Sequence, residues 1–209
     1  MTILPTNRFV KCAFYTPIGA TNVRLHGTEI IGDWKRNASD YSGERGLTLA
    51  QRFAVLASDA ESILKFTQRW GPLLGNPYDG RDGFRFNVES WRQSQIEFMK
   101  LWRGVRRTGA SPWESSERIW VEFRPKAVIL RCPDLFTFMV FELLSNAKAL
   151  RVCERPSCPH PCFLAQHGKE RYCSTECAKW AQSEWKKRWH DQQRQKRIKG
   201  ETDGTQETR

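Results

Sequence analysis

The 209-residue sequence predicts an α+β protein in two parts. The first is a mainly helical N-terminal domain with short β-hairpins, and the second is a cysteine module that ends in a long basic helix. Two segments, 58–70 and 88–106, carry apolar residues at helical spacing, whereas residues 118–123 alternate as in a half-buried strand. Five of the seven cysteines fall between positions 153 and 177, which marks the second part.

The first 57 residues predict little regular structure. Val10–Tyr15 and Asn22–Leu25 are rich enough in apolar and β-branched residues for short strands, and Pro17 and Gly19 separate them. The polar stretch Asn37–Gly46 is typical of a loop.

The first clear helix follows. Ser58 can cap its N-terminus, and Ile63, Phe66 and Trp70 lie on one face at spacings of three and four. Gly71-Pro72 predicts its end, because proline cannot continue a helix.

A second helix, Val88–Arg106, is predicted after a loop at 76–86 that is rich in glycine. Asn87 stands at its start as a capping residue. Its predicted buried stripe consists of Trp91, Phe98, Trp102 and Val105.

A hairpin and a core helix complete the first domain. Residues 118–123 and 127–131 predict two strands joined by a turn at Pro125. Asp134 can cap a helix over 135–149, whose first ten residues are apolar on nearly every side. We expect this helix to be central to the core, with the helices that carry Trp70 and Trp102 packed on it.

The sequence also allows a prediction of the cellular location. No segment approaches the roughly 20 apolar residues that a membrane span needs, and the N-terminus lacks the layout of a signal peptide. We therefore predict a cytoplasmic protein with no membrane partner. The predicted boundaries are 1–150 for the N-terminal domain, 151–199 for the cysteine module and 200–209 for a disordered polar tail.

The cysteine spacing predicts a metal site. Two close pairs, Cys153-x4-Cys158 and Cys173-x3-Cys177, are separated by a short loop, as a tetrahedral zinc site requires. Thiolates are soft ligands that suit Zn²⁺, and a module of about 45 residues needs such a staple because it buries little core. Ser174 can cap the following helix and place Cys177 in its first turn.

Three further residues could enter the ligand set: His160, Cys162 and His167. Cys162 could replace Cys158 or Cys153. We favour the four-cysteine set, because paired cysteines near turns are the commoner design of structural zinc sites. Cys162 would then be a small buried residue beside Phe163.

The module resembles the bacterial CGNR-type zinc finger. The resemblance consists of the Cys-x4-Cys pair, an Arg-aromatic-Cys-Ser step at Arg171–Ser174, and a last cysteine that opens a basic helix. Ala178-Lys179-Trp180 stands where the family has Gly-Asn-Arg. The resemblance implies a treble-clef-like finger after an α+β domain, and a role in transcription regulation.

The helix after the last cysteine is strongly basic. Residues 179–199 have a net charge of +6, out of +11 for the whole chain, which is typical of a nucleic-acid partner. We expect DNA rather than RNA; the oligomeric state is not predicted. The residues predicted to bind nucleic acid are Lys179, Lys186, Lys187, Arg188, Arg194 and Arg197.

The same helix has an apolar stripe of Ala178, Ala181, Trp185 and Trp189. We expect Trp185 and Trp189 to pack on the N-terminal domain, because large aromatic residues on such a stripe are usually buried. Trp180 lies off the stripe and could stack on a base.

Two other classes of function are alternatives to nucleic-acid binding. A zinc-stapled module for protein–protein interaction would use the tryptophan stripe as its partner surface. An enzyme is not expected: the four histidines form no dyad with a nucleophile, and zinc bound by four thiolates has no open position for catalysis.

Overall fold

The computed structural model describes residues 9–14, 20–34, 44–74, 82–109, 120–124, 127–132 and 134–203. These residues form an α+β fold with five α-helices and three small sheets, which confirms the predicted fold class. None of their helices has the length and apolar character that crossing a membrane requires.

Two three-stranded sheets belong to the N-terminal part. In the first, β1 (Phe9–Phe14) lies parallel to β6 (Ala127–Cys132), and β5 (Trp120–Arg124) pairs antiparallel with β6. In the second, β2 (Ala20–His26), β3 (Glu29–Trp34) and β4 (Gly83–Asn87) pair antiparallel in chain order.

The predicted hairpin of β5 and β6 is therefore confirmed, as are strands near Val10–Tyr15 and Asn22–Leu25. Those two strands belong to different sheets. The loop predicted at 76–86 is wrong for its described last part, because residues 83–86 belong to β4. The strand pairs with β3, a contact that no local pattern reveals.

Four helices build the core. They are α1 (Glu44–Ala54), α2 (Ala60–Trp70), α3 (Val88–Thr108) and α4 (Leu135–Ser145). The first of them overlaps the predicted polar loop, which is wrong from Glu44 onwards. Residues 37–43 of that loop lie outside the described residues.

Capping residues set the ends of these helices. Asn87 and Asp134 cap α3 and α4 as predicted, through side-chain oxygens that accept from Glu89 N and Thr137 N. The cap of α2 is Asp59 rather than Ser58, whose hydroxyl instead donates to Gln95 Oε1 at 2.8 Å.

Aromatic rings fill the space between the helices. Phe53 of α1 lies 4.9 Å from Trp91 and 5.0 Å from Phe98 between ring centroids, both in edge-to-face geometry. Phe138 of α4 is fully buried, as is Trp102 of α3. Helix α4 thus lies in the core as predicted, and α3, which carries Trp102, packs on it together with α1. Helix α2, which carries Trp70, differs from the prediction, because it packs mainly against β2 and α3.

The C-terminal part begins where α4 ends. A 3-10 turn (Ala147–Ala149) follows α4, which is shorter than predicted. Strands β7 (Leu150–Val152) and β8 (Cys162–Leu164) then form an antiparallel pair, and α5 (Thr175–Asp203) completes the chain. The disordered tail predicted from position 200 is wrong for 200–203, which are helical, and 204–209 lie outside the described residues.

The two predicted parts share a core. Leu150 of β7 and Cys162 of β8 are fully buried among the residues of the N-terminal core. The indole of Trp102 donates to the carbonyl of Arg151 at 2.9 Å, and Ala165 N donates to Ala149 O at 2.8 Å. The cysteine module is therefore attached to a packed base, whereas the boundary at 150/151 stays a prediction.

Candidate metal centre and basic helix

The first cysteine pair follows the short hairpin. Cys153 comes directly after β7, and its N–H donates to Pro161 O at 2.7 Å. A tight turn brings Cys158 back, because its N–H donates to Arg155 O at 3.1 Å. The hairpin and this turn bring two thiols to the same side of the module.

The second pair lies at the entrance of α5. The Ser174 hydroxyl accepts from Cys177 N at 3.3 Å, and the Ser174 carbonyl accepts from Ala178 N at 3.1 Å. Cys177 therefore lies in the first turn of α5 as predicted, and Cys173 immediately precedes the capping residue. At this position the helix dipole favours a thiolate.

The four sulfur atoms converge. Cys158 Sγ lies 3.4 Å from Cys173 Sγ, and Cys177 Sγ lies 3.7 Å from Cys173 and 3.8 Å from Cys158. With Cys153, all four sulfurs lie within 4.8 Å of one another. A tetrahedral centre with metal–sulfur bonds of about 2.3 Å separates its sulfurs by about 3.8 Å, so the group has the dimensions of a metal site. These separations are much longer than a disulfide bond.

The ionisation of the thiols differs with their surroundings. Burial raises the pKa of Cys158, and it raises that of Cys173 much further, with thiol–thiol contacts adding to the effect on Cys173. At Cys177, burial acts in the same direction but is outweighed by hydrogen bonds with Ser174, Cys173 and Arg155, which lower the pKa to about 7. Cys177 is therefore more readily available to a metal as thiolate at neutral pH than Cys158 or Cys173.

Two interactions brace the cluster. A guanidinium nitrogen of Arg155 lies 3.9 Å from Cys177 Sγ, and the same group lies over the Trp180 ring, 5.8 Å from its centroid. The side chains of Glu154 and Arg171 form a two-pronged ion pair, with Nε to Oε1 at 2.7 Å, and Glu154 N donates to Arg171 O. The first contact brings positive charge to the sulfurs, and the second joins the two cysteine loops.

A small apolar cluster surrounds the sulfurs. Phe163 of β8 is buried against Cys153 and Cys177, and Tyr172 packs at its edge. Sequence analysis did not identify Glu154 as part of this site. Its position directly after Cys153, opposite Arg171 in the other loop, becomes meaningful only once the loops face each other.

The alternative ligands lie outside the sulfur cluster. Cys162 is fully buried in the N-terminal core, and burial raises the pKa of its thiol to about 11, which opposes metal binding. His160 and His167 are exposed on the surface. Within the described ranges, the four cysteines form the sole group of three or more potential ligands close enough to share an ion.

Helix α5 differs from the prediction in its aromatic stripe. Trp185 is 64% exposed and Trp189 is 46% exposed, so neither packs on the N-terminal domain. From Trp185 to Ile198 every side chain is exposed except the half-buried Gln193. The stripe was expected to be buried because amphipathic helices usually lie on a core, but α5 extends past the module, where no described element packs against it.

The basic residues are exposed along this helix. At about 100° per residue, five of the six predicted nucleic-acid contacts share an arc of about 100°, and the two exposed tryptophans occupy the neighbouring arc. Arg188 lies outside that arc, and its Nε donates to Glu184 O at 3.4 Å. The five that share the arc are Lys179, Lys186, Lys187, Arg194 and Arg197.

Comparison of the chain with protein-family models, with curated proteins and with solved structures found no match.

Proposed function

We propose that the protein binds zinc through Cys153, Cys158, Cys173 and Cys177, and that the zinc site anchors a helix that binds nucleic acid. The observation that carries the proposal is the form of α5. It is a 29-residue helix, attached at one end to four converging cysteines and exposed along its basic remainder.

The choice of zinc rests on the donor set. Four thiolates in tetrahedral arrangement are typical of structural zinc, whereas hard cations prefer oxygen ligands. When bound, zinc would supply a structural cross-link between the two cysteine loops, with no open position for chemistry. Arg155 would offset part of the excess negative charge of such a site, since its guanidinium lies 3.9 Å from Cys177 Sγ.

The proposal of nucleic-acid binding is based on the positive charge of α5 and on the position of its cations on one exposed side of the helix. Five cations on one side of a rigid helix can meet successive phosphates with a lower ordering cost than the same residues in a flexible tail. Trp185 and Trp189 lie next to these cations and can stack on exposed bases. The resemblance to the CGNR-type finger supports a DNA target and a role in transcription regulation, and both belong to this proposal.

One observation favours the second candidate, a protein–protein interaction module. Two tryptophans and Ile198 are exposed on α5, and large exposed apolar side chains are common at interfaces. Salt dependence separates the candidates, because phosphate contacts release counterions whereas apolar contacts do not.

The test is fluorescence anisotropy of zinc-loaded protein with mixed-sequence DNA duplexes at several salt concentrations. Four or five phosphate contacts predict a slope of roughly −4 in log K against log salt, and the Lys186→Ala/Lys187→Ala variant should flatten it by about two.

The control removes two lysines elsewhere, Lys65→Ala and Lys148→Ala, and should leave the slope within about half a unit. Absence of saturable binding at low salt would end the nucleic-acid proposal. Binding that ignores the change at Lys186 and Lys187 would exclude α5 as the contact surface.

A further inference from the structure

We propose that a basic groove beside the metal centre binds a phosphate-bearing ligand. The groove has a volume of about 570 Å³ and lies between the end of α3, strand β7 and the loop at 168–171. It is separate from the basic arc of α5, so the inference goes beyond the proposed function. Its charged lining residues are Arg106, Arg107, Arg151, Glu154, Lys169, Glu170 and Arg171.

Arg151 joins two of the elements that line the groove. Its guanidinium donates to the carbonyls of Lys148 at 2.8 Å, Leu150 at 2.7 Å and Gly168 at 3.1 Å. These bonds hold the 168–171 loop against β7. Because all three acceptors are neutral carbonyls, they satisfy the N–H groups of the guanidinium but leave its positive charge in place.

The two acids of the groove are already occupied. Glu154 is paired with Arg171, and a carboxylate oxygen of Glu170 accepts from Gln166 N at 2.8 Å. Five cations and two carboxylates leave a net charge of +3 around the cavity.

Three cations remain for a ligand: Arg106 and Arg107 in the last turn of α3, and Lys169 in the facing loop. All three are exposed, and within the described part of the chain none of them forms an ion pair. Cations from two different elements that line the same groove can contact one multiply charged anion together.

The lining defines the class of ligand. Val152 is the one apolar side chain among the lining residues, so the groove does not suit an apolar molecule. Its volume lies within the range of about 300–1,000 Å³ that is common for small-ligand sites. Arginine guanidiniums match the oxygens of phosphate in pairs, which favours phosphate over a single carboxylate. The phosphate could belong to a small molecule of nucleotide size or to a nucleic-acid backbone.

The experiment is isothermal titration of the full-length, zinc-loaded protein with tripolyphosphate at low salt. We expect saturable binding of one tripolyphosphate per chain. The Arg106→Gln/Arg107→Gln variant should weaken it about tenfold or more, since it removes charged donors to the anion.

The control changes the charge equally elsewhere. Lys100→Gln/Arg103→Gln alters the same helix outside the groove and should change the affinity less than about threefold. Equal weakening in both variants would show unspecific attraction to a basic protein and overturn the proposal.

A DNA duplex titrated in parallel separates the two sources of phosphate. If Arg106→Gln/Arg107→Gln weakens tripolyphosphate alone, the ligand is a small phosphorylated molecule. If the variant weakens binding of the duplex, whether or not it also weakens binding of tripolyphosphate, the groove binds backbone phosphate. If it changes neither, or if neither probe binds, the proposal is wrong. Binding at this groove does not depend on α5. The groove proposal can therefore be wrong while the proposed function of α5 holds, and the function of α5 can be wrong while the groove proposal holds.

Discussion

Helices α4 and α5 are stabilised in opposite ways. Of the 11 residues of α4, eight are buried, among them Phe138 at the centre of the core. Helix α5 has 29 residues, yet beyond its first turns its described side chains are almost all exposed. Packing holds the first helix along its whole length, while the second is held at one end by the cysteine cluster.

This difference indicates that α4 has a structural role and that α5 is available for recognition of a partner. A helix covered on every side is committed to the fold and offers no surface for recognition. A helix attached at one end and exposed elsewhere adds little to the core, so its sequence is free to carry cations and tryptophans for a partner. Four predictions test this contrast, in order of decreasing effect.

The largest effect is expected for a charge in α4. Phe138→Asp should cost more than about 4 kcal/mol and leave the protein insoluble, because it places an unpaired carboxylate in the core. Trp185→Asp makes the same kind of change on α5 and should alter the free energy of unfolding by less than about 1 kcal/mol. Urea unfolding and solubility measure both, and a soluble, cooperatively unfolding Phe138→Asp variant would contradict the assigned core.

The next effect concerns the metal centre. Cys173→Ser should reduce bound zinc to a small fraction of one ion per chain and lower the helical signal in circular dichroism, because α5 loses its anchor. Cys162→Ser should retain the zinc and cost only about 1–3 kcal/mol, the cost of burying a hydroxyl in the core. Equal loss of zinc from both variants would show that Cys162 is a ligand.

A third effect arises from the buried acid of α4. Burial raises the pKa of Glu142 from its ordinary value of 4.5 to about 7. Between these two pH values, the carboxyl group is therefore protonated in the folded protein and ionised in the unfolded chain. This group's contribution to stability is complete below pH 4.5 and is lost as pH rises through 7, a change of about 3 kcal/mol.

Glu142→Gln removes that titration. The variant should match the original protein near pH 4 and exceed its free energy of unfolding by about 3 kcal/mol at pH 8. Urea unfolding of both proteins at each pH measures this, and comparison at equal pH cancels any change in metal binding. A difference that stays constant with pH would show that Glu142 does not titrate between these values.

The smallest effect is expected at the ion pair between the cysteine loops. Glu154 and Arg171 are both largely exposed, so Glu154→Gln should cost less than about 1 kcal/mol, and less still in high salt. The stoichiometry of zinc should not change. A loss of zinc in this variant would mean that the ion pair, rather than the cysteines alone, holds the loops together.

Local patterns predicted the elements that carry their own signals. Asn87 and Asp134 cap helices through short-range bonds, and the cysteine pairs lie in tight turns, so each could be recognised within a few residues. Helix α1 was missed although Leu47, Ala50 and Phe53 repeat at spacings of three. The polar residues that precede Leu47 made the segment resemble a loop, although the helical spacing was present.

Strand β4 had only a weak signal of its own. Phe84 and Phe86 alternate with Arg85, but the run is short and follows a glycine-rich stretch, and it becomes a strand because β3 lies beside it. The pairing of β1 with β6 likewise joins opposite ends of the N-terminal part, and it is parallel, so no hairpin turn could indicate it.

The sequence by itself determined the α+β class, the two cysteine pairs and the basic character of α5, because composition, capping and spacing act over a few residues. Only the tertiary structure decided which surfaces are covered. Trp185 and Trp189 have the spacing of a buried stripe, yet they are exposed because no element lies opposite them among the described residues. Cys162 has the position of a ligand, yet it is buried in the core because β8 turns its side chain away from the other sulfurs. Burial depends on what the rest of the chain brings to a face, and spacing along one segment cannot specify it.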